Sequence, residues 1–184
     1  MVEAILYIFG LVVAVGAALM AAFHDSRAFK IPNNLAGLVL IGFGLAMAVV
    51  LLGADVPFAP LYSHLISLVL MFLITLALFG ARLIGAGDAK LASSLAVWFG
   101  VGSGLPMFIF YTSLVGGVLG LTTLGLKKWR PWPHAPKGTW LASAQAGENR
   151  VPYGIAIAAG FVMTAYMLGY FDIVGIMKNM ENGG

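Results

Sequence analysis

The chain has 184 residues, 61% of them hydrophobic and only 9% charged, with a net charge of +3. Soluble domains carry about 25% charged residues, so the composition excludes an ordinary soluble globule and implies one compact polytopic membrane bundle. The lack of cysteine excludes a disulfide framework and any thiolate zinc site. The three scattered histidines (His24, His64, His134) argue against a metal cluster, and the modest charge does not indicate nucleic-acid binding.

Six apolar segments follow in chain order, roughly 4–23, 35–53, 62–81, 89–104, 106–126 and 153–171. The first has the length of a bilayer crossing and lacks the basic leader region of a secretory signal, so it reads as a retained helix. The fourth is the weakest, because Ser93, Ser94 and several glycines dilute its apolar core, Leu95 to Val101. Charge supports it nonetheless. Lysine and arginine mark cytoplasmic loops, and with six spans nine of the ten basic residues fall on one side. These are Arg27 and Lys30 after span one, Arg82 and Lys90 around the start of span four, and Lys127, Lys128, Arg130, Lys137 and Arg150 between spans five and six. Without span four, the last group would face the opposite side from the others. The predicted fold is therefore an all-α membrane helix bundle of about six transmembrane helices forming a single domain, with both termini outside.

The loop of about 127–152 carries three of the four tryptophans, Trp129, Trp132 and Trp140. Aromatic and basic residues of this kind favour the membrane interface, so the loop reads as an interfacial connector, with a mobile flap or substrate-docking strip as the sharper alternative. Span five carries a GxxxG pair, Gly116 and Gly120, which reads as a helix-packing device.

Two aspartates flank apolar spans in a chain with only seven acids: Asp25, in His24-Asp25-Ser26-Arg27, and Asp88, in Gly85-Ala86-Gly87-Asp88-Ala89-Lys90-Leu91. An ionised carboxylate near a bilayer is costly, which makes each a functional candidate. The charge pattern puts both on the cytoplasmic face at helix ends. Taken singly, Asp88 reads as a helix N-cap and Asp25 as a solvated juxtamembrane charge; together they suggest an aspartic protease dyad. Two nearby carboxylates share a proton, so one acts as base toward water while the other polarises the scissile carbonyl. Such chemistry needs neither metal nor other cofactor. Ala14, Ala17, Ala18 and Ala21 lie on the Asp25 face of span one, and Ala92, Ala96 and Gly100 on the Asp88 face of span four. These small-residue stripes predict that spans one and four pack together and bring the aspartates into contact. Lys90 reads as a positive-inside anchor, with a bias on a nearby carboxylate as the functional alternative. Gly85 and Gly87 read as providing backbone freedom and close approach.

Asp25 through Asn33, an aspartate a few residues before Ile31-Pro32-Asn33, resembles the first motif of type IV prepilin peptidases. Gly85 to Leu91 resembles their second motif, and Pro152-Tyr153-Gly154 with the residues to Gly160 resembles the start of their last helix. The resemblance implies a GxGD aspartic endopeptidase of the bacterial inner membrane with Asp25 and Asp88 as its catalytic pair. Its substrate would be a prepilin or pseudopilin that loses a basic leader at the cytoplasmic face, and its surroundings the lipid bilayer. Pro32 and Asn33 match motif positions with a structural role: a proline-fixed start, with Asn33 or Asn34 capping span two. The larger members carry a four-cysteine cytoplasmic region and also methylate the new terminus. This cysteine-free chain is similar to the compact members that serve Flp/Tad pili, so no methyl transfer is expected. The competing readings are a non-enzymatic scaffold subunit of a pilus or secretion assembly and a small transporter; transporters place such acids near the midplane rather than at one face.

Overall fold

The structure, a computed structural model, describes every residue except 1, 54, 55, 133, 134, 137, 183 and 184, and no side chain at 181 or 182. His134 and Lys137, which entered the metal and charge arguments above, fall outside the described residues. The described residues form eight helices and no strand: α1 (Val2–Ala28), α2 (Asn33–Leu51), α3 (Leu61–Gly80), α4 (Ala86–Ala96), α5 (Gly104–Trp129), α6 (Trp140–Gln145), α7 (Tyr153–Met167) and α8 (Ile173–Asn182). Helices α1, α2, α3 and α5 are long and apolar enough to cross a bilayer, and α7 is a shorter apolar helix. The chain is thus an all-α polytopic membrane bundle. Helix is the form apolar segments must take in lipid, because it satisfies every backbone polar group internally.

Helix α1 outruns its apolar segment by more than a turn and carries Asp25 on that extension. It ends where Phe29 turns left-handed (φ 50°) and its amide donates to the Asp25 carbonyl. The short link Lys30-Ile31 then leads to Pro32, which fixes the start of α2. Helices α1 and α2 cross closely at Gly10 and Gly42, where a Cβ on either glycine would run into the other's carbonyl oxygen.

Helix α4 departs from the expected fourth span: it runs from Ala86 to Ala96 rather than from 89 to 104. Beyond it the chain unwinds through Val97–Ser103, and Trp98 and Phe99 turn fully into the core. Backbone carbonyls released at such a break need new partners. The Trp98 carbonyl accepts from the Tyr170 hydroxyl at 2.8 Å, and the Val97 carbonyl lies 2.8 Å from His64 Nδ1. His64 Nε2 stands 3.0 Å from the Ala59 carbonyl; a neutral ring donates from one nitrogen only, an imidazolium from both. The Tyr7 hydroxyl donates in turn to the Tyr170 carbonyl at 3.1 Å. Around these links, Phe43, Phe58, Phe99, Phe161 and Trp98 make stacked, edge and tilted ring contacts that form the aromatic half of the core.

The predicted pairing of spans one and four is also corrected. Helix α1 packs mainly on α2 and α7, and α4 mainly on α3 and α2; α1 and α4 meet only over a small area. The alanine face of α1 is buried as expected, but a small-residue stripe states only that something approaches closely, not which helix does. Two further boundaries differ. Helix α7 stops at Met167 rather than near 171, because Gly169 (φ 77°) ends it and the Tyr170 amide closes back on the Ala165 carbonyl. The 127–152 loop contains α6, capped by Thr139, whose hydroxyl accepts from the Ala142 amide.

Candidate active site

Asp25 and Asp88 stand at two converging helix N-termini. Asp25, in the last turn of α1, is 5% exposed, and its Oδ2 accepts from the Gly154 amide at 2.7 Å, the second residue of α7. Asp88, in the first turn of α4, is 9% exposed, and its Oδ2 accepts from the Gly85 amide at 2.9 Å. Each carboxylate thereby meets the positive end of a helix dipole. Helix α4 begins at Ala86 with Gly85 as its N-cap, so Asp88 is not the cap residue; it reaches back one turn to the cap's amide. Asp88 Oδ1 is buried without a hydrogen-bond partner.

The segment between α1 and α2 ties these termini together. A Cβ on Gly87 would lie 3.1 Å from Ile31 Cβ, and one on Gly154 3.2 Å from Ile31 Cδ1. Ile31 therefore wedges between the first turns of α4 and α7. The Gly154 position is the tighter, since a Cβ there would also meet Asp25 Cβ at 2.9 Å and Asp25 Oδ2 at 3.1 Å. Only glycine leaves room for the Asp25 carboxyl to sit against the α7 amide. Gly154, Tyr153 and Ile31 were not among the site residues expected from sequence; the one signal for them was the Pro152-Tyr153-Gly154 motif and the isoleucine between the first aspartate and Pro32.

Lys90 Nζ donates to Asn33 Oδ1 at 3.0 Å. This pins the start of α2 to α4 and joins the two motifs, but among the described residues the ammonium contacts no carboxylate. The cap expected from Asn33 or Asn34 is absent: Pro32 occupies the N-cap of α2 without a side-chain hydrogen bond, and Asn33 spends its oxygen on Lys90. Pro32 does provide the expected fixed start.

Both aspartates lie outside the apolar runs of their helices. Burial pushes the Asp25 carboxyl from its usual 3.8 up to about 6; the Gly154 amide opposes the rise, and the nearby Asp88 charge adds to it. Burial raises Asp88 as well, against the pull of the Gly85 amide. The Asp88 charge is thus felt at Asp25, and both carboxyls favour holding a proton in a range where exposed aspartates have lost theirs. Such a pair can activate water and protonate a leaving group.

Residues 12–121, which carry both aspartates, match the type IV leader peptidase family. The chain belongs to that family. Membership makes it a prepilin-type leader peptidase of an aspartic-type family, embedded in a membrane. No curated protein and no solved structure matches the chain. The family match ends within α5, so the Asp25 seat at Gly154 and the 127–152 loop lie beyond it. In that loop, the Trp132 amide donates to Gln145 Oε1 at 2.9 Å and Trp140 Nε1 to Thr123 Oγ1 at 3.1 Å, which folds α6 back on α5. Among the described residues no group of three metal-ligating side chains occurs.

Proposed function

We propose that Asp25 and Asp88 are the catalytic pair of this leader peptidase, and that it cuts the leader from prepilins or pseudopilins at the cytoplasmic face of the inner membrane. The observation that carries the proposal is the seating of two buried carboxylates on adjacent helix N-termini, each holding one amide, with Asp88 Oδ1 uncommitted. In the proposed reaction the ionised carboxylate takes a proton from water, the oxygen adds to the scissile carbonyl, and the protonated carboxyl stabilises the developing oxyanion. The leaving nitrogen then takes a proton from the pair, the C–N bond breaks, and the dyad returns to its singly protonated state. Which oxygen starts as base is a property of the coupled pair.

Topology supports the choice of face. Arg27, Lys30, Lys90 and Arg150 belong to the same end of the bundle as the aspartates: Lys90 binds Asn33, and the Arg150 guanidinium lies 5.6 Å over the Phe29 ring. Basic residues concentrate on cytoplasmic ends. Six crossings remain our reading, with α4 and its buried turn serving as the fourth and α7 as the last. A chain without cysteine is similar to the compact, Flp/Tad-type members, and we expect hydrolysis without methyl transfer.

The test is incubation of purified protein in lipid with a panel of prepilin-type proteins from the same genome, with products read by mass. The proposal predicts one cut at the leader junction and a new terminus without an added methyl group, in the presence of S-adenosylmethionine. A cut elsewhere, or a methylated product, would contradict it.

A further inference from the structure

A groove of about 470 Å³ runs between α3, α4, α5 and α7, and Asp88 lines one end of it. From there it extends along α3 from Leu78 to Met71 and along α5 from Gly120 to Ile109. That stretch of α5 is about 16 Å, or three helical turns. The α5 wall is small where it faces the groove: Gly117 and Gly120 have nothing within 4 Å of an added Cβ. Helix α5 is also the least covered of the long helices, with 11% of its apolar window buried against 28–44% for the others. Groove polarity is confined. Thr75 Oγ1 is spent on the Met71 carbonyl, whereas Thr112 Oγ1, buried against Gly160 of α7, has no hydrogen-bond partner among the described residues. Asp88 Oδ1, on a residue more than nine-tenths buried, has no partner.

We infer that this groove seats an apolar helical segment of the substrate that immediately follows the scissile bond, with the α5 glycine face as the docking wall. This rests on the proposed function. At membrane depth the occupant must satisfy its own backbone, which selects a helix. Gly117 and Gly120, open on that wall, let a helix backbone approach closely. The groove reaches Asp88, so a helix lying in it from its N-terminal end delivers the preceding peptide bond to that carboxyl. A lipid chain would fill the same apolar volume but present no amide to the carboxylate.

The absence of cysteine from the chain permits a direct test. Single Ser113→Cys and Gly117→Cys variants, in an Asp25→Asn background that leaves substrate uncut, are oxidised in membranes with prepilins carrying one cysteine about two turns after the cleavage point. Leu114→Cys and Val118→Cys, on the exposed face of the same helix, are the controls. Disulfides from 113 and 117 to the prepilin, at least tenfold over 114 and 118, are expected. Equal crosslinking at 117 and 118, no crosslink at 117, or a crosslink from 117 only to a second copy of the enzyme would overturn the inference. Cleavage by the cysteine-free wild type, run in parallel, separates the two proposals. A crosslink without cleavage keeps the groove and removes the peptidase reading, whereas cleavage without a crosslink does the reverse.

Discussion

Gly154 and Asp25, 129 positions apart in sequence, are joined by a 2.7 Å hydrogen bond from the glycine amide to the carboxylate. The bond exists because the position lacks a side chain: a Cβ would stand 2.9 Å from Asp25 Cβ. The first motif of the chain is thus held by the first turn of a helix near its other end.

Gly154→Ala follows directly. On helix propensity alone alanine would stabilise the α7 turn by up to about 1 kcal/mol. Here it displaces the carboxyl, so we expect cleavage to fall by about 100-fold, as for a misplaced catalytic group, while the protein stays folded. Cleavage rate and thermal unfolding measured on the same preparation check both halves; an active alanine variant would show that the seat is not needed.

Asp25→Asn should separate stability from activity. Burial raises the Asp25 carboxyl from 3.8 to about 6, so the folded state holds the proton more tightly than the unfolded one. Stability is therefore fullest below 3.8 and is lost as pH rises through about 6. At about 1.4 kcal/mol per factor of ten in proton affinity, the loss above that pH is on the order of 2–3 kcal/mol. Asparagine keeps an acceptor for Gly154 without the charge. The variant should melt higher than wild type at pH 7–8 in detergent, on the order of this loss, with the gap closing as pH approaches 4.

The same carboxyls set the pH–rate profile. Cleavage should rise as the first proton leaves the pair and fall as the second leaves, with the falling limb above the ordinary aspartate range because both groups are raised. Initial rates across the pH range check this. A flat profile extending several units above neutrality would contradict a shared proton.

Lys90 and Asn33 form an exposed tie between motifs rather than an electrostatic switch. Removing either, as Lys90→Met or Asn33→Ala, should cost about 1 kcal/mol or less, and the double variant should cost little more than each single one. A thermodynamic cycle on unfolding measures this coupling; fully additive effects would mean that the contact contributes nothing.

The aspartates were legible because a carboxylate beside an apolar run is conspicuous, and the bundle was legible because long apolar runs have one structural solution in lipid. The end of α4 was not, since hydropathy continues through Val97, Trp98 and Phe99 while the backbone turns. That turn becomes apparent only when its carbonyls are seen to meet His64 Nδ1 and the Tyr170 hydroxyl. Nor could sequence assign the partner of the α1 alanine face, because any close-packed helix suits it; α2 and α7 take that place. Gly154 stood out in sequence only as part of the Pro152-Tyr153-Gly154 motif, and the approach of Asp25 is what gives it a role.

The central claim is that both carboxylates act in cleavage. Its most direct test is the rate constant for prepilin cleavage by Asp25→Asn and Asp88→Asn, each verified as folded and membrane-inserted. Loss of about 1,000-fold or more in each, the scale expected when an acid–base group is removed, is the predicted result. Cleavage within a few-fold of wild type in either variant would contradict the dyad.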